Sequence, residues 1–164
     1  MTELQEILIG AGAAAEPAHV VEGLTDELVH GKPAGAPHSI YEELWHAAFW
    51  LEMSLDWVSG KPTPYPASAA DGFPTVVDME REDWAALRGR FLRGLQRAAD
   101  VAGDEGRLDA VVECPSKPGI ATRRMTVREQ LENGAAHDAY HLGRIVLLRQ
   151  MMGVWPPVSG GYTW

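Results

Sequence analysis

Cysteine, basic charge and long apolar runs are all scarce in this sequence, and each scarcity excludes a class of protein. The single cysteine, Cys114, rules out an internal disulfide and fits a reducing compartment. The 14 Lys and Arg residues against 23 Asp and Glu give a formal net charge of -9, which argues against a nucleic-acid-binding surface. Nothing around Cys114 indicates a lowered thiol pKa, so the sequence assigns this residue no chemistry.

Membrane and export signals are also missing from the sequence. No apolar run approaches the roughly 18 residues that a membrane-spanning helix needs. The first residues, Met1–Glu6, carry no basic segment of the kind that begins a secretory signal. We therefore expect a cytoplasmic protein with no nucleic-acid or membrane partner.

The length of the chain and its proline- and glycine-rich breaks predict one helical domain. The 164 residues suit a single core spanning 1–164. Four helical stretches are separated by segments rich in proline and glycine. They are predicted at about Thr2–Ala15 with a continuation over Pro17–Leu24, at Ser39–Ser59, at Glu80–Ala102 and at Thr126–Met152. Four such helices predict an all-α four-helix bundle.

Three non-helical segments are expected between and after these helices. The proline-rich segment Lys61–Asp78 is too long for a simple connection, which predicts a functional cover or a partner-binding segment. Leu108–Met125 is predicted to form a short extended excursion or hairpin. The tail Gly153–Trp164 is predicted non-helical, and its aromatic side chains are expected to dock on the body or on a neighbour. These aromatic residues are Trp155, Tyr162 and Trp164.

Two capping boxes fix the starts of the second and fourth helices. Ser39 with Glu42, and Thr126 with Glu129, have the spacing in which a hydroxyl and a carboxylate exchange hydrogen bonds with backbone N–H groups. We therefore expect Glu42 to complete the cap rather than to approach a site one turn later.

The pair His137 and His141 is the strongest chemical signal in the sequence. Residues four apart on a helix are separated by about 6 Å of rise and about 40° of rotation, so both imidazoles leave from one face. His141 falls within the apolar stripe that should face the core, and His137 falls at its edge. Asp138 also points inward, which is unusual for an aspartate without a partner. This geometry suits two ligands of one metal ion.

His46, on the second helix, is the expected third ligand. It shares a side of that helix with Trp50 and Met53, which are predicted to form the pocket wall or simply core. The remaining histidines, His19, His30 and His38, stand in loop-like surroundings and are weaker candidates, because metal ligands prefer rigid elements. The alternative is a purely structural role, in which the inward histidines are hydrogen-bonded core residues with no metal.

Two stretches of the sequence resemble the DinB/YfiT-like family of metal-binding four-helix bundles. The family signature is one histidine midway along the second helix and a His-x-x-x-His pair on the last helix. Ser39–His46, SIYEELWH, is similar to the first element and includes the serine cap. His137–Ile145, HDAYHLGRI, is similar to the second, including the glycine two residues after the last histidine.

The resemblance implies a metal triad of His46, His137 and His141 that holds a divalent transition metal such as zinc or nickel. It also implies a homodimer and a small-molecule substrate. Some members of the family transfer low-molecular-weight thiols such as bacillithiol, mycothiol or glutathione to electrophiles, and a related branch isomerises maleylpyruvate. The long proline-rich loop and the aromatic tail depart from the family pattern, which leaves the substrate open.

Three neutral histidines leave a coordination position open, which is typical of a catalytic metal site. A water or thiol in that position would have a lowered pKa. The sequence therefore predicts a metal-dependent enzyme, a thiol-dependent transferase or a hydrolase, with no catalytic residue assigned. Asp138 is expected either to orient a ligand N–H from behind or to pair elsewhere in the core. The alternatives are a metal-binding or stress-related dimeric bundle without catalysis, and a bundle without metal.

Overall fold

The computed structural model describes residues 1–10 and 15–160, and that part of the chain is mostly helical. Its α-helices are α1 (Glu3–Ile9), α2 (Pro17–Val20), α3 (Asp26–His30), α4 (Ile40–Val58), α5 (Val76–Arg81), α6 (Trp84–Ala102) and α7 (Val127–Met151). One antiparallel hairpin, β1 (Val111–Cys114) and β2 (Arg123–Thr126), stands between α6 and α7. No helix in the described ranges is long and apolar enough to cross a membrane.

The three long helices pack side by side, with α4 in the centre. α4 contacts α6 along one side and α7 along the other, while the short α1 closes the arrangement against α6 and α7. On α6 the apolar residues recur at helical spacing and are buried: Leu87, Phe91, Leu95 and Ala98. α4 is apolar around most of its circumference because it has a neighbour on both sides.

Both predicted capping boxes are present. The Ser39 N–H donates to Glu42 Oε2 at 2.7 Å, and the Glu42 N–H donates back to the Ser39 hydroxyl. Thr126 and Glu129 make the same exchange at the start of α7. α4 and α7 carry the histidine motifs, so the two helices that matter most for function begin where the sequence predicts.

The prediction for the third helix was wrong at its start. α6 begins at Trp84 rather than near Glu80, because Asp83 caps it by accepting from the Ala86 N–H at 2.8 Å. The residues before it form the separate helix α5, capped by Thr75. The proline-rich segment also contains a turn of 3-10 helix, Ala69–Gly72, so it is shorter and more ordered than expected.

The N-terminal region, up to His30, contains more and shorter helices than the sequence suggested. α1 ends at Ile9, and the rest of the predicted first helix reaches residues 11–14, which lie outside the described residues. The predicted continuation forms only α2, and α3, which the sequence reading missed, follows under a Thr25 cap.

The predicted hairpin over Leu108–Met125 is confirmed, with Cys114 directly opposite Arg123. The described part of the tail docks on the body as expected. The ring of Trp155 lies 5.3 Å from the guanidinium carbon of the buried Arg149, and the Ser159 hydroxyl donates to Glu22 Oε2 at 2.6 Å. Tyr162 and Trp164 lie outside the described residues.

Candidate metal centre

α4 and α7 bring His46, His137 and His141 together at their interface. The ring centroid of His141 lies 4.5 Å from that of His46 and 4.5 Å from that of His137. One ligand nitrogen from each ring can be chosen so that all lie within 4.8 Å of one another. The cluster therefore has the donor set and the spacing of a metal site.

The ring of His46 is fixed by the loop that covers it. Its Nδ1 lies 2.7 Å from the Gly72 carbonyl oxygen, and because a carbonyl only accepts, Nδ1 carries the proton and donates. The lone pair is therefore on Nε2. Phe73 stacks on a face of the His46 ring, with 4.2 Å between the ring centroids.

Gly72 leaves room for this contact. A Cβ at this position would lie 3.3 Å from Trp50 Nε1 and 3.4 Å from the His46 ring, closer than nearly all side chains tolerate. A larger residue would push the 3-10 turn away from His46. The proline-rich segment thus supplies backbone that orients a candidate ligand.

The ring of His141 is fixed by a carboxylate on the facing helix. Its Nδ1 donates to Glu43 Oε2 at 2.7 Å, which again leaves Nε2 with the lone pair. Arg144 Nε donates to the other oxygen of Glu43 at 2.8 Å. Burial raises the pKa of Glu43, but the hydrogen bonds from His141 and Arg144 outweigh it and hold that pKa below its ordinary value. Glu43 is therefore an ionised acceptor, although it is completely buried.

His137 completes the cluster from the edge of α7. Its Nε2 lies 3.3 Å from His46 Nε2. Two nitrogens bound at about 2.0–2.1 Å to one tetrahedral zinc stand about 3.3 Å apart, so this spacing fits shared coordination.

Asp138 is buried beside His137 without a hydrogen bond. The distance from its Oδ1 to His137 Nδ1 is 3.7 Å, too long for one. Neither carboxylate oxygen has a partner among the described residues, and burial raises the pKa of Asp138. The expected orienting contact to a histidine N–H is therefore not formed in this geometry.

The electrostatics of the cluster keep His46 neutral. Burial is the main reason that its pKa falls from 6.5 to about 4, and the nearby imidazoles of His141 and His137 add to the effect. A neutral imidazole with a free Nε2 is the form that binds a metal.

A cavity of about 480 Å³ opens beside two of the three histidines, while His141 lies buried behind them and does not line it. His46, His137 and Asp138 line it, and Trp50 forms part of its wall. Met53 does not line the cavity. Its side chain is buried in a cluster with Cys114 and with Trp57, which does line the cavity.

The side chains present fit a divalent transition metal. All three candidate ligands are imidazoles, and two of them donate their second N–H to a fixed acceptor, as metal-bound histidines commonly do. Imidazole nitrogen suits zinc, nickel, copper and iron alike, so the donor set does not select among them. Two of the three ligands, His46 and His137, line the cavity, which leaves room for another group at the metal.

Two supporting residues were missed by the sequence reading. Glu43 stands three residues before His46, and Arg144 stands three residues after His141, so each shares a helix face with a ligand. That spacing was the available signal for Glu43. Nothing in the sequence indicated that the Gly72 carbonyl would reach His46 across 26 residues.

The other histidines stay outside the cluster. His38 stacks on Phe73 at 4.2 Å between centroids, which places it behind the wall that touches His46. His30 stacks on Tyr41, and His19 lies beside Glu22.

A family model described as the DinB superfamily matches residues 13–145 of the chain. No curated protein matches the chain. The matched range includes α4, the proline-rich segment that covers His46, and both histidine motifs. The chain therefore belongs to the DinB superfamily, and its three clustered histidines are compatible with metal binding.

Proposed function

We propose that this DinB superfamily chain holds a divalent transition metal, zinc or nickel in the first instance, through Nε2 of His46, His137 and His141. The observation that carries the proposal is the orientation of two rings from behind. The Gly72 carbonyl accepts a hydrogen bond from Nδ1 of His46, and the Glu43 carboxylate accepts one from Nδ1 of His141. The lone pair of each ring is therefore on Nε2, within the cluster. The Nε2 atoms of His46 and His137 then lie 3.3 Å apart, the separation expected of two nitrogens bound to one tetrahedral metal ion.

We further propose that the site is catalytic and acts on a small molecule, as a thiol-dependent S-transferase or a hydrolase. A bound metal supplies a Lewis acid that lowers the pKa of a water or thiol beside it. The chain's own contribution is to orient the ligands through Glu43 and Gly72 and to wall the cavity with Trp50 and Phe73. The cavity is large enough for a small organic substrate, within the usual range for ligand pockets.

The metal is tested by elemental analysis of protein purified without a histidine tag. We expect about one metal ion per chain for the unaltered protein and loss of at least nine-tenths of it in His141→Ala. His38→Ala is the matched control, because His38 stacks near the site without belonging to the cluster. Substoichiometric metal that His141→Ala leaves unchanged would overturn the proposal.

The reaction is tested separately with metal-loaded protein. Several low-molecular-weight thiols are offered with an electrophile, and thiol depletion is followed. Ester and amide hydrolysis are assayed in parallel. Turnover that is lost on chelation and restored by metal supports an enzyme. No metal-dependent turnover across the panel would assign the site to metal binding without catalysis.

The assembly is part of the proposal as well. The packing of α1, α4, α6 and α7 supports a four-helix bundle as the underlying architecture. The outward face of α7 exposes Tyr140, Leu147 and Met151 at helical spacing, which supports a homodimer through this face. Sedimentation should give a dimer for the unaltered chain and a monomer for Leu147→Glu. A monomer for both would overturn this part of the proposal.

A further inference from the structure

The mouth of the cavity carries two cations in an otherwise acidic protein. Lys117, in the turn of the hairpin, and Arg123, on β2, line the same cavity as His46 and His137. Their backbones are hydrogen-bonded in the hairpin, but neither side chain forms an ion pair or a hydrogen bond with any residue in the ranges 1–10 and 15–160. The protein carries a formal net charge of -9, so the charge of these two side chains is opposite in sign to that of the protein as a whole.

The register of the hairpin explains why Arg123 faces the cavity. Arg123 stands directly opposite Cys114, and directly opposite residues of an antiparallel pair point to the same face. Cys114 is completely buried, so that face is the inner one. The next residue, Arg124, stands opposite Glu113 on the outer face and does not line the cavity. Neighbouring arginines therefore have different surroundings.

Besides the histidines and the buried Asp138, the remaining lining has an aromatic part and an amide part. Trp50 and Tyr65 lie 5.0 Å apart between ring centroids and form an apolar wall. Deeper in the cavity, Gln130 Nε2 donates to Ser54 Oγ at 2.9 Å, and Asn133 lines the cavity nearby. The cavity thus presents cations, an aromatic wall and the histidines in one space.

We infer that the small molecule taken by this cavity is an organic anion with an apolar body. Its anionic group is held by Arg123 and Lys117, its apolar part packs on Trp50 and Tyr65, and its reacting end faces the histidines. The last element rests on the proposed function, but anion recognition at the mouth does not. A carboxylate is the simplest group of this kind, and the guanidinium of Arg123 matches it in shape.

The inference is tested with a matched pair of probes, 4-phenylbutanoate and its neutral amide, by calorimetric titration. Because a carboxylate can also bind a metal, each titration is run on protein as purified and on protein treated with chelator. In both forms the acid should bind about fivefold or more tightly than the amide for each cation engaged. The preference should shrink as salt is added, because the cations are exposed.

Variants identify the source of the preference. Arg123→Gln and Lys117→Gln should each reduce the preference for the acid by about fivefold, and the outer-face control Arg124→Gln should leave it unchanged. Equal binding of acid and amide, no binding of the acid, or an equal loss in Arg124→Gln would overturn the inference.

The two proposals fail separately in this design. A preference for the acid that vanishes on chelation would overturn anion recognition by the mouth and leave the metal proposal intact. If protein as purified carries no stoichiometric metal and still prefers the acid, the result would support the mouth and count against the proposed function.

Discussion

Two pairs of a histidine and a neighbouring carboxylate lie at the interface of α4 and α7, and only one of the two pairs is hydrogen-bonded. His141 donates to Glu43 at 2.7 Å, and Arg144 holds the other oxygen of that carboxylate. His137 and Asp138 approach only to 3.7 Å, and Asp138 has no hydrogen-bond partner among the described residues. Both carboxylates are buried, yet the pKa of Glu43 is lowered and that of Asp138 is raised.

The difference teaches that a buried acid beside a histidine does not by itself support a ligand. Glu43 lies on the helix that faces His141, so its carboxylate can point along the Nδ1–H direction. Asp138 is adjacent to His137 on the same helix, and successive residues of a helix diverge by about 100°. Position across the interface, rather than proximity in the sequence, decides which carboxylate orients a ligand.

The largest effect should come from removing the carboxylate of the paired neighbour. Glu43→Ala should lower the free energy of unfolding by about 3–5 kcal/mol, because His141 and Arg144 lose a buried partner. It should also weaken metal binding by at least about tenfold. Denaturant unfolding of metal-free protein and a metal competition assay measure the two effects. Glu42→Ala, which removes a capping carboxylate and its exposed ion pair with Lys32, is the control and should cost about 1 kcal/mol.

The two histidines themselves should differ in stability. In metal-free protein, His141→Ala should cost about 2 kcal/mol, because it leaves a completely buried Glu43 with Arg144 alone. His137→Ala should cost less than about 1 kcal/mol, because its ring is partly exposed and has no carboxylate partner within hydrogen-bond distance. Equal losses by thermal or denaturant unfolding would contradict the asymmetry.

His46, which has a carbonyl partner instead of a carboxylate, should make metal-free protein sensitive to acid. Its folded pKa is about 4 and its ordinary value is 6.5, so the unfolded state binds more protons between these values. Stability should therefore fall as pH falls through this window, by about 1–2 kcal/mol after allowance for solvent screening. His46→Gln should flatten the stability curve between pH 6.5 and 4. An unchanged slope would show that His46 is not the group responsible.

Removing the charge of the unpaired neighbour, Asp138, should also have a small effect on stability, and that effect should have the opposite sign. Because the folded pKa of Asp138 is raised above its ordinary value of 3.8, keeping this group ionised costs stability, and the cost grows as pH rises from that value. Asp138→Asn should raise the free energy of unfolding at pH 7 by about 1 kcal/mol and gain less at acid pH. Destabilisation instead would mean that Asp138 has a partner in solution.

The sequence predicted the parts of the site that depend on local periodicity. The cap at Ser39 and the cap at Thr126 fix where α4 and α7 begin, and the i, i+4 spacing then puts His137 and His141 on one face. The inward position of Asp138 followed from the same arithmetic. These features need only the helix period and a capping residue.

The features that the sequence did not reveal depend on contacts between distant segments. The Glu43–His141 bond crosses 98 residues, and the Gly72–His46 bond depends on how the covering loop folds back. The break before α6 was missed for a local reason, since Asp83 and Thr75 are both capping residues and only one helix was assigned there. Nothing in the sequence distinguished Arg123 from Arg124, and only the hairpin register places them on opposite faces.

The most direct test of the account is an anomalous-scattering measurement on crystals of the untagged protein, with data above and below the absorption edge of the metal found by elemental analysis. The account predicts one peak about 2.0–2.3 Å from Nε2 of His46, His137 and His141, with Nδ1 of His46 and His141 still bonded to Gly72 and Glu43. No peak at the cluster, or a peak coordinated through Nδ1 with those two bonds broken, would contradict it.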